Sequence, residues 1–352
     1  MKTQVLIIGG GFAGVATAQK LKKEGIKTTL VDRKDYFEVT YAVLRDVAAP
    51  EKNNGAARQH YKDILKGSFI QSGVKELTQT TALLENGDTV HFEKVVIASG
   101  SRYPSLPLAK SSEAMALTSR DEELKSHHSK LRSASHVLII GGGVVGVELA
   151  GEIAFAMPKV KVTLAHNTHT LLDGFKEKAQ QKTLEQLINL GVNVEFNTLY
   201  KENNKIYTDV NSGKSITPDV AFVAVGTLPN NDFLQQNFSH ILNEKGLVNV
   251  NSNLAVVGQQ NFYAIGDIAD VGEAKLGYLA LEQGKYLGKA LVKAFKGKST
   301  KAYKRNPFMA LVPTGQKTGV VQLPFMVSTW KGLVNMKQKD LFISKTYNEF
   351  AK

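Results

Sequence analysis

The sequence predicts an α/β protein made of two copies of one unit, with a small α+β segment at its C-terminal end. Three observations carry that expectation. Val5-Leu6-Ile7-Ile8 is an apolar run without alternation, as a strand buried on both faces requires, and the glycine turn Gly9-Gly10-Gly11-Phe12-Ala13-Gly14 follows it directly. The same order returns at residues 136–140 and Gly141-Gly142-Gly143-Val144-Val145-Gly146. Each turn then leads into a helical pattern and a further apolar strand.

In the first copy the helix covers residues 15–23, Gly25 ends it, and the strand at 28–31 stops at Asp32. In the second the helix covers 147–154 and the strand 160–164. The duplication extends beyond these units. Residues 82–90 read as a hairpin closed by Asn86-Gly87, leading into 94–100; residues 206–216 turn through Asn211-Ser212-Gly213 and lead into 219–226. Two Rossmann-like domains follow from this pattern.

A chain of 352 residues suits two or three domains of about 100–150 residues. Pro104 and Pro107 mark one seam, Pro229 with Asn230-Asn231 a second, and the Lys-rich stretch 296–307 a third. The expected division is 1–112 for the first part of one nucleotide domain and 113–235 for the other. Residues 236–300 then return to the first, and 301–352 form the C-terminal domain.

Composition narrows the chemistry. There is no cysteine, so disulfides, thiolate metal sites and redox dithiols are excluded, and electrons would have to move through a bound cofactor. No metal site is expected. The formal charge of +12 attracts anions: nucleotide phosphates, nucleic acid or acidic lipid. The sequence lacks an uncharged apolar run of about 18 residues, and Met1-Lys2-Thr3-Gln4 enters a strand at once. A cytoplasmic protein without a signal peptide is the expectation, peripheral on a membrane or lipid-droplet surface if it binds lipid.

The glycines point to phosphates. Gly9 permits the tight bend, Gly11 lets backbone approach a pyrophosphate, and Gly14 allows close helix–strand packing. The helix N-terminus then offers free N–H groups and its positive dipole end. Asp32, with Arg33 beside it, stands about 20 residues on, where an acid hydrogen-bonds a ribose hydroxyl. Gly141, Gly143 and Gly146 repeat the pattern, but the next strand ends Leu164-Ala165-His166 without an acid. A histidine does not repel a 2′-phosphate, so this second site is expected to accept NADPH about as well as NADH.

These motifs resemble the two-dinucleotide-binding-domain flavoproteins of the pyridine nucleotide-disulfide oxidoreductase superfamily. Residues 7–14 resemble their FAD turn, Val96-Ile97-Ala98-Ser99-Gly100-Ser101 their middle segment, and Ala264-Ile265-Gly266-Asp267 their late FAD motif. Gly141 to Glu148 is similar to their coenzyme motif. Within the superfamily, residues 263–271, 275–280 and 337–344 resemble the apoptosis-inducing-factor-like branch that holds the ferroptosis suppressor proteins.

The resemblance implies a first domain that binds FAD through Gly9, Gly11, Phe12, Ala13, Gly14, Asp32, Arg33, Ala98, Gly100, Gly266 and Asp267, with Arg45 near the flavin. It implies a second that binds NADH or NADPH through Gly141, Gly143, Gly146, Glu148, His166 and Gly226. Glu148 would orient the nicotinamide, and Lys275 and Tyr278 would lie against the flavin ring; these three are the expected catalytic residues.

The implied activity is NAD(P)H:quinone oxidoreduction, a hydride passing from NAD(P)H to FAD and two electrons then to a membrane quinone. Two other readings stand beside it: reduction of ferredoxin or a small soluble acceptor, and a signalling or nucleic-acid-binding flavoprotein. The myristoylation signal of the mammalian relative is missing from Met1-Lys2-Thr3. Toward the C-terminus, Phe325, Met326, Trp330, Leu333, Val334, Met336, Leu341 and Phe342 mix with Lys331, Lys337, Lys339 and Lys345. That mixture suits either an anionic membrane surface or the packed core of a small, dimer-forming domain.

Overall fold

The computed structural model describes residues 1–65 and 68–351. The apolar run at the N-terminus becomes β1 (Lys2–Ile8), and the helix α1 (Phe12–Lys23) starts immediately after the glycine turn. Then come β2 (Thr28–Asp32), α2 (Val43–Ala48), β3 (Ser68–Gln71), β4 (Val74–Leu77), β5 (Thr81–Leu84) and β6 (Thr89–Ile97). These strands line up in the order β3-β2-β1-β6-β5-β4. The pairings among β3, β2, β1 and β6 are parallel, and the β5–β6 hairpin turns through Asn86-Gly87 as the sequence indicates.

Helix α3 (Leu117–Ser133) leads into the second copy: β7 (His136–Ile140), α4 (Val144–Ala156), β8 (Lys161–Ala165), α5 (Glu177–Asn189) and β9 (Asn193–Glu195). A three-stranded antiparallel sheet follows, β10 (Tyr200–Asn203), β11 (Ile206–Asp209) and β12 (Ser215–Ile216). β13 (Val220–Val223) then completes an all-parallel sheet in the order β9-β8-β7-β13. Both parallel sheets bury their central strands: Val5, Leu6 and Ile7 are fully buried in one, Val137, Leu138 and Ile139 in the other.

The chain crosses between the two sheets twice, and the crossings pair with each other. Leu228 and Pro229 lie antiparallel to Arg102 and Ser101, and the Ser99 hydroxyl donates to the carbonyl of Asn230 at 2.7 Å. The chain then returns to the first sheet, where β14 (Phe262–Ala264) pairs parallel with β6. The long helix α6 (Gly277–Phe295) packs on α1. The last segment is a three-stranded antiparallel sheet, β15 (Ala310–Thr314), β16 (Thr318–Gln322) and β17 (Val327–Ser328), followed by α7 (Lys331–Gln338) and α8 (Ile343–Ala351). The mixed tail therefore divides. Val334 and Leu341 enter the interior, whereas Phe325 is 97% exposed and Trp330 68%.

The α1–α6 contact is close because α6 brings Gly284 to it. A Cβ on Gly284 would lie 2.4 Å from the carbonyl oxygen of Ala13, and the Thr17 hydroxyl donates to the carbonyl of Gly284 at 3.2 Å. Gly284→Val should therefore force the helices apart at the start of α1. We expect a loss of about 1–3 kcal/mol, the usual cost of overpacking, measured by urea denaturation, with weaker retention of any ligand held by the first glycine turn.

Candidate functional site

The two glycine turns have the same geometry. Gly9 has φ +105° and Gly141 φ +116°. A Cβ at Gly9 would stand 2.3 Å from the carbonyl oxygen of Ala98, and one at Gly141 2.5 Å from that of Ala224. A Cβ at Gly14 would sit 1.9 Å from the carbonyl oxygen of Gly9, and the Gly146–Gly141 distance is the same. Helix and strand therefore touch through backbone. At Gly11 and Gly143 a Cβ would meet nothing within 4 Å, so each turn carries an open cradle at the start of its helix. Neither helix has a side-chain cap there, which leaves its first N–H groups free for an anion.

In the first turn the N–H of Gly10 donates to Asp32 Oδ2 at 2.6 Å, and the N–H of Lys34 to Oδ1 at 2.8 Å. Burial pushes the Asp32 carboxyl above its ordinary pKa range despite these two donors. Phe12 and Ala13 are buried at the start of α1, and Phe12 stacks on Tyr41 with centroids 5.3 Å apart. Ala98 is buried at the end of β6, and Gly100 opens to space at φ +67°. Arg33 points outward and pairs with Glu85.

The late motif stands close by. Gly266 lies near the start of α1: a Cβ on it would come 3.5 Å from that of Ala13. Asp267 Oδ2 accepts the hydroxyl of Ser101 at 2.7 Å and the ammonium of Lys110 at 2.8 Å. Burial by itself raises the Asp267 carboxyl, but Lys110 and Ser101 together hold it below its ordinary range. Lys275 donates to the carbonyl of Ala269 at 2.6 Å; burial lowers its pKa, against the pull of Asp267, Asp270 and Glu273. The Tyr278 hydroxyl donates to the carbonyl of Pro307 at 3.1 Å, and burial raises its pKa.

In the second copy His166 is buried, and its Nδ1 accepts the N–H of Gly142 at 3.1 Å, the counterpart of Asp32 with Gly10. Gly226 opens to space at φ +67°, matching Gly100. Glu148 is buried on α4 and pairs with Lys337 of α7, Nζ to Oε1 2.8 Å. Burial raises the Glu148 carboxyl and Lys337 draws it back only in part. The Lys337 ammonium also donates to the carbonyl of Leu311 at 3.0 Å.

Arg45 is buried and held by other elements of the protein. Its Nε and Nη2 donate to Glu152 Oε1 at 3.0 and 2.8 Å, its Nη1 to the carbonyl of Gln338 at 2.9 Å, and Nη2 also reaches the side-chain oxygen of Gln338. The guanidinium thus ties α2, α4 and α7 together inside the protein. Lys110 and Lys337 are further polar residues of the site that no motif spacing flagged, and Ser101 closes the middle segment without having been given a role. Lys110 lies in an irregular segment, and Lys337 read as one of several tail lysines. Among the described residues no group of three or more His, Asp or Glu could hold a metal ion.

Two open cradles at helix N-termini, each with a side chain at the end of the next strand that accepts the N–H of the turn's middle glycine, define a two-dinucleotide-binding scaffold. The open space at Gly11, the uncapped start of α1 and the partly buried Asp32 suit the pyrophosphate and ribose of a dinucleotide such as FAD. Residues 3–284 match the family model described as pyridine nucleotide-disulphide oxidoreductase. The chain is 31% identical to ferroptosis suppressor protein 1 of Xenopus tropicalis over 99% of its own length and 96% of that protein's. It is 31% identical to the Homo sapiens protein of the same name over 97% and 94%, and 29% identical to apoptosis-inducing factor homolog A of Dictyostelium discoideum over 92% and 85%.

Among solved structures it is similar to reduced Bacillus anthracis CoADR-RHD (TM-score 0.75, 18% identity, 96% of this chain and 63% of that one). It is also similar to an engineered water-forming NADPH oxidase bound to NADPH (TM-score 0.72, 19% identity, 91% of this chain and 75% of that one). The chain belongs to the pyridine nucleotide-disulphide oxidoreductase family, whose members use FAD and NAD(P)H. It has no cysteine, so the disulfide half of that family's name does not describe its chemistry.

Gly11→Val should separate folding from binding. The added side chain meets open space, so the far-ultraviolet circular dichroism and melting temperature should match the parent's. The purified variant should nevertheless lose the yellow flavin absorbance, because the side chain fills the pyrophosphate's approach. Full flavin occupancy in a folded variant would remove the first turn from the site.

Proposed function

We propose that this chain is an FAD-dependent NAD(P)H:quinone oxidoreductase that meets its quinone at an anionic membrane surface. The first glycine turn, Asp32 and Asp267 would hold FAD, and the second turn with Glu148 and His166 would hold the nicotinamide coenzyme. Bound FAD would take two electrons from the nicotinamide and deliver them to the quinone. Glu148 is the group we assign to orienting the nicotinamide. It is buried, its partner Lys337 fixes its rotamer, and it stands on the helix that the second turn opens.

The observation that carries the quinone and membrane reading is the outer edge of the C-terminal segment. Phe325, Met326, Trp330 and Met336 are 97, 47, 68 and 59% exposed, and Lys331 and Lys339 are exposed beside them. Large apolar side chains on a soluble surface lose the contacts they could make; with flanking lysines they suit insertion at a headgroup layer. Among the described residues no helix is long and apolar enough to cross a membrane.

Glu148→Gln should keep FAD and slow its reduction by the coenzyme about 10- to 100-fold, read in a stopped-flow reductive half-reaction. A rate equal to the parent's would make Glu148 a packing residue. For the membrane edge, point variants are a better probe than truncation, because removing residues after Phe325 would also remove Lys337 and Gln338 from the interior. Phe325→Ser with Trp330→Ser should leave turnover on a short soluble quinone unchanged. The same pair should lower turnover on a long-chain quinone in phosphatidylserine-containing vesicles. The parent protein should co-sediment with those vesicles at low salt and release at high salt, since each surface lysine adds about 1 kcal/mol within a Debye length. If it stays in the supernatant at low salt, a soluble acceptor takes the quinone's place.

A further inference from the structure

The segment after β8 brings back an acid that strand-end spacing does not reveal. His166 accepts the N–H of Gly142 through Nδ1, so its ring proton is on Nε2. That nitrogen is buried, with the residue 9% exposed, and makes no hydrogen bond within the protein. Asp173 Oδ2 lies 3.3 Å from it, outside bonding geometry. The hydroxyls of Thr168 and Thr170 donate to Asp173 at 3.2 and 3.3 Å, and the Asp173 side chain remains 56% exposed. The backbone holds this return in place. Leu172 is buried at φ +57°, a conformation costly for a branched side chain, and its N–H donates to the carbonyl of Gly142 at 2.8 Å. The loop is thus fastened to the turn whose N–H also holds His166.

We infer that His166 and Asp173 together select the coenzyme at its adenosine ribose, favouring the 2′-hydroxyl of NADH over the 2′-phosphate of NADPH. This rests on the reading of the second glycine turn as the coenzyme site. His166 occupies the position that Asp32 holds in the first copy, beside the middle glycine's N–H. The exposed Asp173 carboxylate can accept from a free 2′-hydroxyl, while the Nε2–H of His166, enclosed by the protein, faces that carboxylate from 3.3 Å. A 2′-phosphate would bring its negative charge against that carboxylate. Protonating His166 on Nδ1 to compensate would break its bond with Gly142. Lys176 cannot easily assist, because its ammonium is held by the carbonyl of Pro324 at 2.7 Å. The expectation of near-equal use of NADH and NADPH came from the lack of an acid at the strand end; the fold supplies one from the loop.

Binding of the oxidised coenzymes to the FAD-loaded protein, followed by titration calorimetry, tests this without turnover. The parent should bind NAD⁺ at least tenfold more tightly than NADP⁺, a difference of about 1.4 kcal/mol or more. Asp173→Ala, an exposed position, should bring the two affinities to within about threefold, mainly by strengthening NADP⁺. Asp173→Asn should move the ratio in the same direction. An unchanged ratio in both variants, or a parent without preference, overturns the selection. Gly143→Val keeps this failure apart from a wrong site. If it abolishes both bindings while the Asp173 variants leave the ratio unchanged, only the selection falls. If Gly143→Val binds both coenzymes like the parent, or the parent binds neither, the second turn is not the coenzyme site and both readings fall.

Discussion

Two backbone-to-backbone contacts set the architecture: Gly14 against the carbonyl of Gly9, and Gly146 against that of Gly141. With a Cβ the separation would be 1.9 Å in either copy, well inside contact distance, so only glycine allows each helix to stand this close to its strand. Closeness makes the turn short, and a short turn points the first N–H groups of the helix into one small volume. It also fixes the next strand end, since Asp32 and His166 must both reach the middle glycine's N–H. On its outer side α1 is pressed by Gly284 against the carbonyl of Ala13. The first helix is thus located by backbone on two sides, which holds its N-terminus still without a capping side chain.

The C-terminal segment is part of the same machinery. Lys337 and Gln338 leave α7 to meet Glu148 and Arg45, so an element late in the chain neutralises the Glu148 charge on α4 and hydrogen-bonds the Arg45 guanidinium on α2, whose charge Glu152 pairs. Pairs of this kind seldom add net stability, but removing one partner leaves a buried charge that costs about 3–5 kcal/mol. They therefore act mainly to specify arrangement: α7 can dock in only one register on the nucleotide domains. Charge counting supports the same separation of inside and outside. The buried bases Arg45, Arg58, Arg120 and Lys337 are outnumbered by the buried acids Glu38, Asp46, Glu148, Glu152 and Asp209. The positive excess of the sequence consequently lies on the exterior, where it can meet an anionic surface.

Much of this could be read from the sequence, because glycine spacing and unbroken apolar runs are local signals. Residues 5–14 and 137–146 announce strand, turn and helix without any tertiary knowledge, and Asn86-Gly87 announces its hairpin. Long-range electrostatics could not be read in the same way. The interior tie that Arg45 makes could not be read, because Glu152 and Gln338 come from elements far along the chain. The tail read as either an exposed surface or a packed core, and α7 carries both, one face sending Val334 and Lys337 inward and the other leaving Met336 outside. Periodicity over so short a helix cannot tell a buried lysine from an exposed one. Asp173 was invisible for another reason: its position depends on Leu172 adopting a left-handed conformation, which its residue type does not favour.

The remaining difference between the two copies bears on how each treats its nucleotide. Asp32 meets Gly10 through a charged acceptor at 2.6 Å, while His166 meets Gly142 through a ring nitrogen at 3.1 Å. Charge-assisted hydrogen bonds are shorter and about twice as strong as neutral ones. A carboxylate also keeps further lone pairs, whereas the one N–H of the imidazole is enclosed by the protein. On the function proposed above, the first copy would hold its dinucleotide through the stronger acceptor and the second more loosely. That asymmetry, on an otherwise repeated frame, is what a resident cofactor and a diffusing co-substrate require of neighbouring sites.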